Sequence, residues 1–558
     1  MGGSTTQEVA AWIELFLLER GIRPIIHQSE YNRDFEDTVV DSRELAAFVP
    51  DILDLHLSTT NLALSRQVIG SEEEFERAIG ERMEHFRRVW QSVWSVRPCL
   101  IVQNTFEPPA LRPLGHLDAS SCNGQTRFAR RLNEELAREA RAESRLVLHD
   151  AASLPATSSV ANWFAPDRWA SYKMPTSLEA DVVIGHSVAS LIAAAFGRSR
   201  KCLVLDLDNT LWGGVIGDDG PERIVVGRET PRGEAFTAFQ EYCKALRERG
   251  VILAVCSKNE DATARLGFAH PDSVLQLSDI SAFRANWEPK PDNIRSIAQE
   301  LNIGLDSVVF VDDNPAERLL VAGQLPMVAV PNVGSEVSRF APILDSARYF
   351  EAITISREDL ERTRKYAENA DRAATVQKFA NYGEYLDSLH MVAEIDAFSD
   401  TYLDRIAQLT NKTNQFNLTT RRYTKAEIAE LASDQQYVTL YGRLVDTFGD
   451  NGLVSVIIGR REGSELHIDL WLMSCRVLKR GMEAAMLDAL VARAQELGCV
   501  SLIGKFIPTD RNGMVAAHYE ILGFDRAGQD AAKHPLWALD ISGTCAPRNL
   551  HIKEMVRD

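Results

Sequence analysis

The eight cysteines include no C-x-x-C pair. That scatter denies both a zinc ribbon and a disulfide framework. Reduced thiols and a cytoplasmic location fit it best. No apolar run reaches the ~18 residues that a bilayer span needs, so no membrane partner is expected. The start, MGGSTTQEVAAW, lacks a basic stretch followed by an apolar core, so no secretory signal is read there. Basic charge is also short: 61 Lys and Arg face 79 Asp and Glu, a net charge of −18. Phosphate backbones are bound by basic faces, which argues against nucleic acid as the main partner. There is no internal repeat and no low-complexity tract. What remains is the balance of a globular protein, 45% hydrophobic and 25% charged over 558 residues. That length suits roughly three or four domains.

Three segments differ in pattern. Residues 1–197 alternate helices (72–95, 128–144) with strands (99–106, 146–150), which favours a parallel sheet. AFGRSRK (195–201) reads as a linker. Residues 198–345 alternate again: strand 202–206, helix 232–249, strand 251–256, helix 260–267, strand 273–276, helix 290–301, strand 307–311. This predicts a doubly wound parallel sheet. The stretch before helix 232–249 has room for a small flap but not for a large cap, which suits a bulky or protein-borne substrate. Residues 346–545 change to a meander of long strands, then helix 481–497, strand 500–506 and helix 512–522, with a tail over 546–558.

Residues 203–210 read LVLDLDNT. A short apolar strand delivers Asp206 and Asp208 to its end, with Thr210 just beyond. Strand alternation starts the two carboxylates on one side. Crowded acids repel unless a cation or a shared proton relieves them. One can then attack phosphorus while the other moves a proton. The run resembles motif I of the haloacid dehalogenase (HAD) superfamily, Asp-x-Asp-x-Thr after a hydrophobic strand. VILAVCSKN ends a second strand in Ser257, whose counterpart in that superfamily donates a hydrogen bond to a phosphoryl oxygen, and Lys258 follows it. Lys290, in NWEPKPDN, opens a helix and offers a fixed cation. SVVFVDDNPAE ends a further strand in Asp312 and Asp313, then Asn314. Oxygen ligands from two strand ends suit Mg²⁺. The expected roles are Asp206 as nucleophile and Asp208 as acid. Thr210, Ser257, Lys258, Lys290 and Asn314 would hold the phosphoryl group. Asp206, Asp208 through its carbonyl, and Asp312 or Asp313 would hold Mg²⁺.

Longer blocks carry a narrower resemblance, from about residue 100 to 525. They are RKCLVLDLDNTLWGGVIGDDG, GVILAVCSKN, LNIGLDSVVFVDDNPAER, QLTNKTNQFNLTTRRYT, FGDNGLVSVIIG and WLMSCRV. The chain resembles the long FkbH-like proteins of polyketide biosynthesis. That resemblance implies a Mg²⁺-dependent enzyme. It would take a glyceryl unit from 1,3-bisphosphoglycerate, remove phosphate, and load the unit on the phosphopantetheine thiol of an acyl carrier protein. Cys256, beside Ser257, is then a candidate to carry the acyl group first, with Cys475 as its competitor. Cys202 reads as core. The sequence has Glu-Pro-Lys-Pro around Lys290 where relatives carry an Asp before the Lys. A plain phosphatase on a phosphate ester and a non-catalytic carrier-docking scaffold are the alternatives.

The flanks carry resemblances of their own. The C-terminal segment is similar to a GNAT acyltransferase fold, with RVLKRGMEAAML where a helix start would cradle a pyrophosphate of coenzyme A or of a carrier's arm. NKTNQFNLTTRR reads as a polar ligand-lining loop. Arg421, Arg422 and Arg476, with Lys479, Arg480 and Arg511, are the candidate basic face for an acidic carrier. The N-terminal segment resembles an SGNH-hydrolase-like, flavodoxin-like α/β domain without the Gly-Asp-Ser nucleophile. Its closing Asp-x-x-His maps onto Asp167–Ala170, and alanine is no base. A degenerate, non-hydrolytic domain is expected.

Overall fold

Strands Cys202–Leu205 (β4), Ile252–Ser257 (β5) and Val308–Val311 (β7) are buried at every position. Such unbroken apolar runs are what a parallel sheet covered on both faces requires. The computed structural model describes all residues except 63–70, 356, 361–378, 380, 475–476, 510 and 556–558. It divides into two units, Met1–Phe196 with Glu351–Ile353, and Gly197–Phe350 with Thr354–Asp558. The architecture is multidomain α/β.

In the first unit, Ile52–Leu55 (β1), Leu100–Asn104 (β2) and Leu146–His149 (β3) form a parallel sheet in that order. β1 has no clear sequence signature, because Asp54 interrupts its four residues. Helix Glu72–Val96 opens with a capping box, Ser71 and Glu74. It buries Phe75, Phe86 and Trp90 against the sheet and against Phe128 and Leu132 of helix Gln125–Ala142. Helix Leu178–Ala195 is long and apolar enough to cross a membrane by length and composition, but over half of it is buried within this unit. Ala180, Ile184 and Val188 pack on Val9, Ile13 and Leu17 of helix Gln7–Glu19.

In the second unit the parallel sheet runs β6-β5-β4-β7, with β6 at Ile280–Ala285. β4 is flanked by β5 on one side and β7 on the other, so the chain reverses its winding between β4 and β7. Such a switch point opens a crevice at the carboxyl ends of the two strands. Leu203, Leu205, Val255, Val309 and Val311 fill one face of the sheet. Cys202, Val204, Cys256, Phe310 and Ile294 fill the other. Between β4 and helix Pro231–Glu248 lies only a small flap, pinned by a Gly213–Val225 bridge. The strand expected at 273–276 is absent. Gln240 Oε1 takes the amides of Val274 and Leu275 at 2.8 and 3.0 Å, and the strand forms instead in the less apolar ISAFRA.

The rest of this unit carries an eight-stranded sheet, order β13-β14-β12-β11-β10-β9-β8-β15. Its centre is Tyr437–Asp446 (β9), Gly449–Glu462 (β10), Glu465–Met473 (β11) and Ser501–Lys505 (β12). Val392–Asp396 (β8), Asp525–Gln529 (β13), Pro535–Asp540 (β14) and Lys553–Glu554 (β15) complete it. β11 and β12 are parallel, joined by helix Met482–Glu496. The helix expected over 512–522 breaks into a 3-10 turn, Gly513–Val515, and a single turn, His518–Ile521.

Phe310 is fully buried in β7, and its ring centroid lies 5.7 Å below the Lys290 ammonium. Phe310→Ala is expected to lower stability by about 3–5 kcal/mol, read from the midpoint of urea unfolding. A loss under 1 kcal/mol would mean that the sheet repacks beneath the site.

Candidate active site

Asp206 leaves β4 with its amide still bonded to Val311 O at 2.9 Å. This last rung of the β4–β7 ladder fixes its carboxylate at the switch point. Beyond it the chain turns tightly, with Leu207 O accepting from Thr210 and Leu211. Asn209 takes a left-handed conformation, φ +54°. The turn aims Asp208 away from Asp206. Its Oδ1 accepts from Trp212 Nε1 at 2.9 Å and from the Ile216 amide at 3.1 Å. Its Oδ2 accepts from Asn259 Nδ2 at 2.9 Å. Asn259, itself buried, also donates to Ser257 Oγ at 3.2 Å, so one amide sets both the second carboxylate and the strand-end hydroxyl.

Lys290 is the first residue of helix Lys290–Glu300, and its ammonium is buried. Nζ lies 2.9 Å from Asp206 Oδ1 and 2.5 Å from Asp312 Oδ2. Burial alone would lower its pKa, but the two carboxylates outweigh that and raise it, so Lys290 stays charged. Asp312 has no exposed surface. Burial, with Asp206 adding to it, pushes the Asp312 carboxyl up to about 6 against the pull of Lys290. Asp313 is shifted upward for the same first reason. Thr210 Oγ1 accepts from the Asp313 amide at 3.2 Å, and Arg318 Nη1 donates to the carbonyls of Asp312 and Asp313, both at 2.7 Å.

The structure therefore brings together Asp206, Asp312, Asp313 and Lys290, with Thr210 behind them and Asp208, Asn259 and Ser257 linked beside them. Ligand oxygens of Asp206, Asp312 and Asp313 lie within 4.8 Å of one another. Three carboxylates against one ammonium leave two negative charges uncompensated, and the donors are all oxygen. That set fits a hard divalent cation. The carboxylate of Asp208 is not part of it, since three donors already hold it.

Several expected site residues are placed elsewhere. Cys256 does not face the crevice. Its thiol is buried on the helix side of β5 among Val204, Ile294 and Phe310, with Lys290 O as its nearest acceptor at 3.8 Å. Burial pushes the thiol up to about 12 even with Lys290 nearby, so it is neither a thiolate nor accessible. Lys258 pairs with Glu317 at 2.6 Å. The Asn314 side chain caps helix Pro315–Gln324. Arg422 donates to Thr410 O at 2.7 Å and to Asn411 O, capping the end of helix Leu403–Lys412. Arg421 pairs with Asp469 at 3.4 Å and lies over the Tyr423 ring. Arg480 is buried against Asp446 at 3.1 Å, and Arg511 pairs with Asp306 at 2.8 Å. Among the described residues, Arg421, Arg422, Arg480 and Arg511 are thus each engaged within this unit. Cys475 and Arg476 lie outside the described residues.

The expected pyrophosphate cradle is also filled from within. Glu483, in the first turn of helix Met482–Glu496, accepts from the Lys479 amide at 3.1 Å. β11 and β12 pair over Glu465–Ile468 and Ser501–Gly504, then separate. The gap holds a strand-like insert from NKTNQFNL. Met473 N donates to Phe416 O and Leu418 N to Trp471 O, each at 3.0 Å, and Ile507 N donates to Leu418 O at 2.8 Å. Phe416–Leu418 of the block expected to line a ligand site thus bridges β11 and the chain after β12.

The second unit contains, in class, a parallel α/β domain with a carboxylate–lysine cluster at its switch point. Neither a protein-family model nor a curated protein matches the chain. Among solved structures, it is 33% identical to the N-terminal part of BF1531 from Bacteroides fragilis, which contains a phosphatase domain and was crystallised with Mg. The likeness has a TM-score of 0.59 and covers 63% of this chain and 93% of that one. The chain belongs to the HAD-like phosphatase-domain family that BF1531 represents. It is also similar, at 17% identity and a TM-score of 0.21, to the ribosomal-protein-S18-alanine N-acetyltransferase of Escherichia coli, over 28% of this chain and 99% of that one. Ard1 from Thermoplasma volcanium gives 18% and 0.21 over 26% and 95%. Neither of these two is close enough to bear on activity.

Two outcomes are expected. Iodoacetamide under native conditions leaves Cys256 unlabelled in a peptide map, and Cys256→Ala keeps phosphate release within about twofold of the parent, as a purely packing thiol should. Labelling of Cys256 together with loss of turnover would restore it as a nucleophile. Titration of the full chain with acetyl-CoA gives no saturable heat; one-to-one binding would show that the insert and Glu483 can be displaced.

Proposed function

We propose that the chain is a Mg²⁺-dependent phosphoryl-transfer enzyme. It acts on 1,3-bisphosphoglycerate and delivers the glyceryl unit to the phosphopantetheine thiol of an acyl carrier protein. The observation that carries the phosphoryl half is the cluster at the switch point, Asp206 held by Lys290 and faced by Asp312 and Asp313. Asp206 attacks the phosphorus of the phosphate ester, and the bond from phosphorus to the substrate's oxygen breaks. Asp208, held by Trp212, Ile216 and Asn259, gives that oxygen its proton and then takes one from the water that frees phosphate. Ser257 and Lys290 hold the phosphoryl oxygens where charge develops. Asp206, Asp312 and Asp313 would hold Mg²⁺, which supplies positive charge to the phosphoryl group when bound.

The acyl half rests on the sequence blocks shared with FkbH-like proteins. With Cys256 buried, the carrier's own thiol attacks the acyl carbon directly. The carbon–sulfur bond forms, the carbon–oxygen bond breaks, and the second phosphate leaves. A small flap in place of a large cap suits a carrier-borne arm. The burial of Cys256 equally favours a second reading, a plain phosphatase on a small or carrier-bound phosphate ester, which needs no protein thiol.

The test follows phosphate release and intact carrier mass together, with 1,3-bisphosphoglycerate, Mg²⁺ and a phosphopantetheinylated carrier. Glyceryl mass on the carrier with phosphate release is expected. Phosphate release without a mass gain selects the plain phosphatase. Asp206→Asn should cut phosphate release by at least about 10³-fold, the scale of losing a covalent nucleophile. Full activity in that variant would overturn both readings.

A further inference from the structure

Trp287 sits in the link, residues 286–289, between β6 and helix Lys290–Glu300. Of the nine tryptophans it alone is exposed, at 77%. The link itself is held tightly. Asn286 N donates to Ser257 O at 3.2 Å and so continues the β5–β6 pairing past Ala285. Asn286 and the buried Asn293 exchange side-chain amide bonds at 3.1 and 2.8 Å. Asn286 Oδ1 also accepts the Glu288 amide at 3.0 Å. Pro289 then fixes the backbone at the helix start. A braced backbone thus displays a bare indole to solvent.

Its place is the lip of the crevice. Ser257 adjoins one end of the link, and at the other Lys290 reaches Asp206 at 2.9 Å. A second exposed apolar side chain, Val215 of the flap, precedes Ile216, whose amide holds Asp208 at 3.1 Å. A rigid, exposed aromatic is the usual anchor of a contact made on binding, because little freedom is lost there. The two co-substrates proposed above differ in what they offer it. The surface of 1,3-bisphosphoglycerate is phosphate, carbonyl and hydroxyl, and the exposed Glu288 beside Trp287 disfavours such an anion. A pantetheine arm carries paired methyl groups, methylenes and flat amides, which an indole face covers well, and its phosphate lies at the far end from the thiol. We infer, on the basis of that proposed function, that Trp287 packs against the pantetheine arm and sets the affinity for the thiol acceptor.

The test measures glyceryl transfer by the full chain to a phosphopantetheinylated carrier and, separately, to free pantetheine. Trp287→Ala should raise KM for both acceptors about tenfold, the scale of truncating an aromatic anchor. KM for 1,3-bisphosphoglycerate and kcat at saturating acceptor should stay within about twofold of the parent. Trp287→Phe should recover most of the loss. An unchanged acceptor KM in Trp287→Ala, with a parent that loads the carrier, overturns this inference alone. A rise for the carrier but not for pantetheine also overturns it, since Trp287 would then touch the carrier's body. A rise in KM for 1,3-bisphosphoglycerate does the same. A parent that leaves both acceptors unmodified overturns the proposed transfer, and this contact with it.

Discussion

The Lys290 ammonium, buried between Asp206 and Asp312, is the interaction on which the site depends. Without it, carboxylates delivered by neighbouring strands would repel across a crevice with little water. A buried ion pair of this kind contributes little net stability, and breaking it by removing one partner is costly. Its value is positional. It ties the first turn of a helix to the ends of β4 and β7, so the nucleophile sits at one distance from the oxygen ligands facing it. Phe310 beneath and Arg318 behind keep that arrangement rigid without touching the reacting atoms.

The same cluster leaves a deficit of positive charge, which a divalent cation resolves. Lys290 is fixed and permanent, whereas a cation can exchange. The fixed charge shapes the crevice in every state, and the exchangeable one completes it. Asp208 stands apart. Three donors hold it in place as an acid beside the cluster rather than as a member of it, with Asn259 linking it to Ser257.

The strand-end residues were legible because each follows an unbroken apolar run. Asp206 and Asp208 after β4, Ser257 after β5, and Asp312 and Asp313 after β7 could be read by position alone. Asn259, Trp212 and Arg318 could not, because their bonds go to a side chain or a carbonyl whose place depends on the fold. Cys256 was misjudged for a related reason. Adjacency in sequence suggested a shared site with Ser257, but consecutive strand residues face opposite ways. The arginines of the C-terminal segment read as a surface charge pattern, yet Arg422 is spent on a helix end and Arg480 on a buried acid. β1 escaped notice because four residues bearing an acid carry too little periodicity.

The insert Phe416–Leu418 sets an order on how the chain acquires its shape. It is sealed on one side by Trp471 and Met473 and on the other by Ile507. The last of these is synthesised some ninety residues after the insert. Until then the outer edge of the insert lacks its partner at Ile507, and before residues 501–504 are made the Glu465–Ile468 edge of β11 lacks β12, rows of amides and carbonyls of the kind that invite pairing with other chains. The second half of the molecule thus passes through a stage in which a ready template for aggregation is exposed. Nascent chains halted before residue 507 are the form that a chaperone would meet.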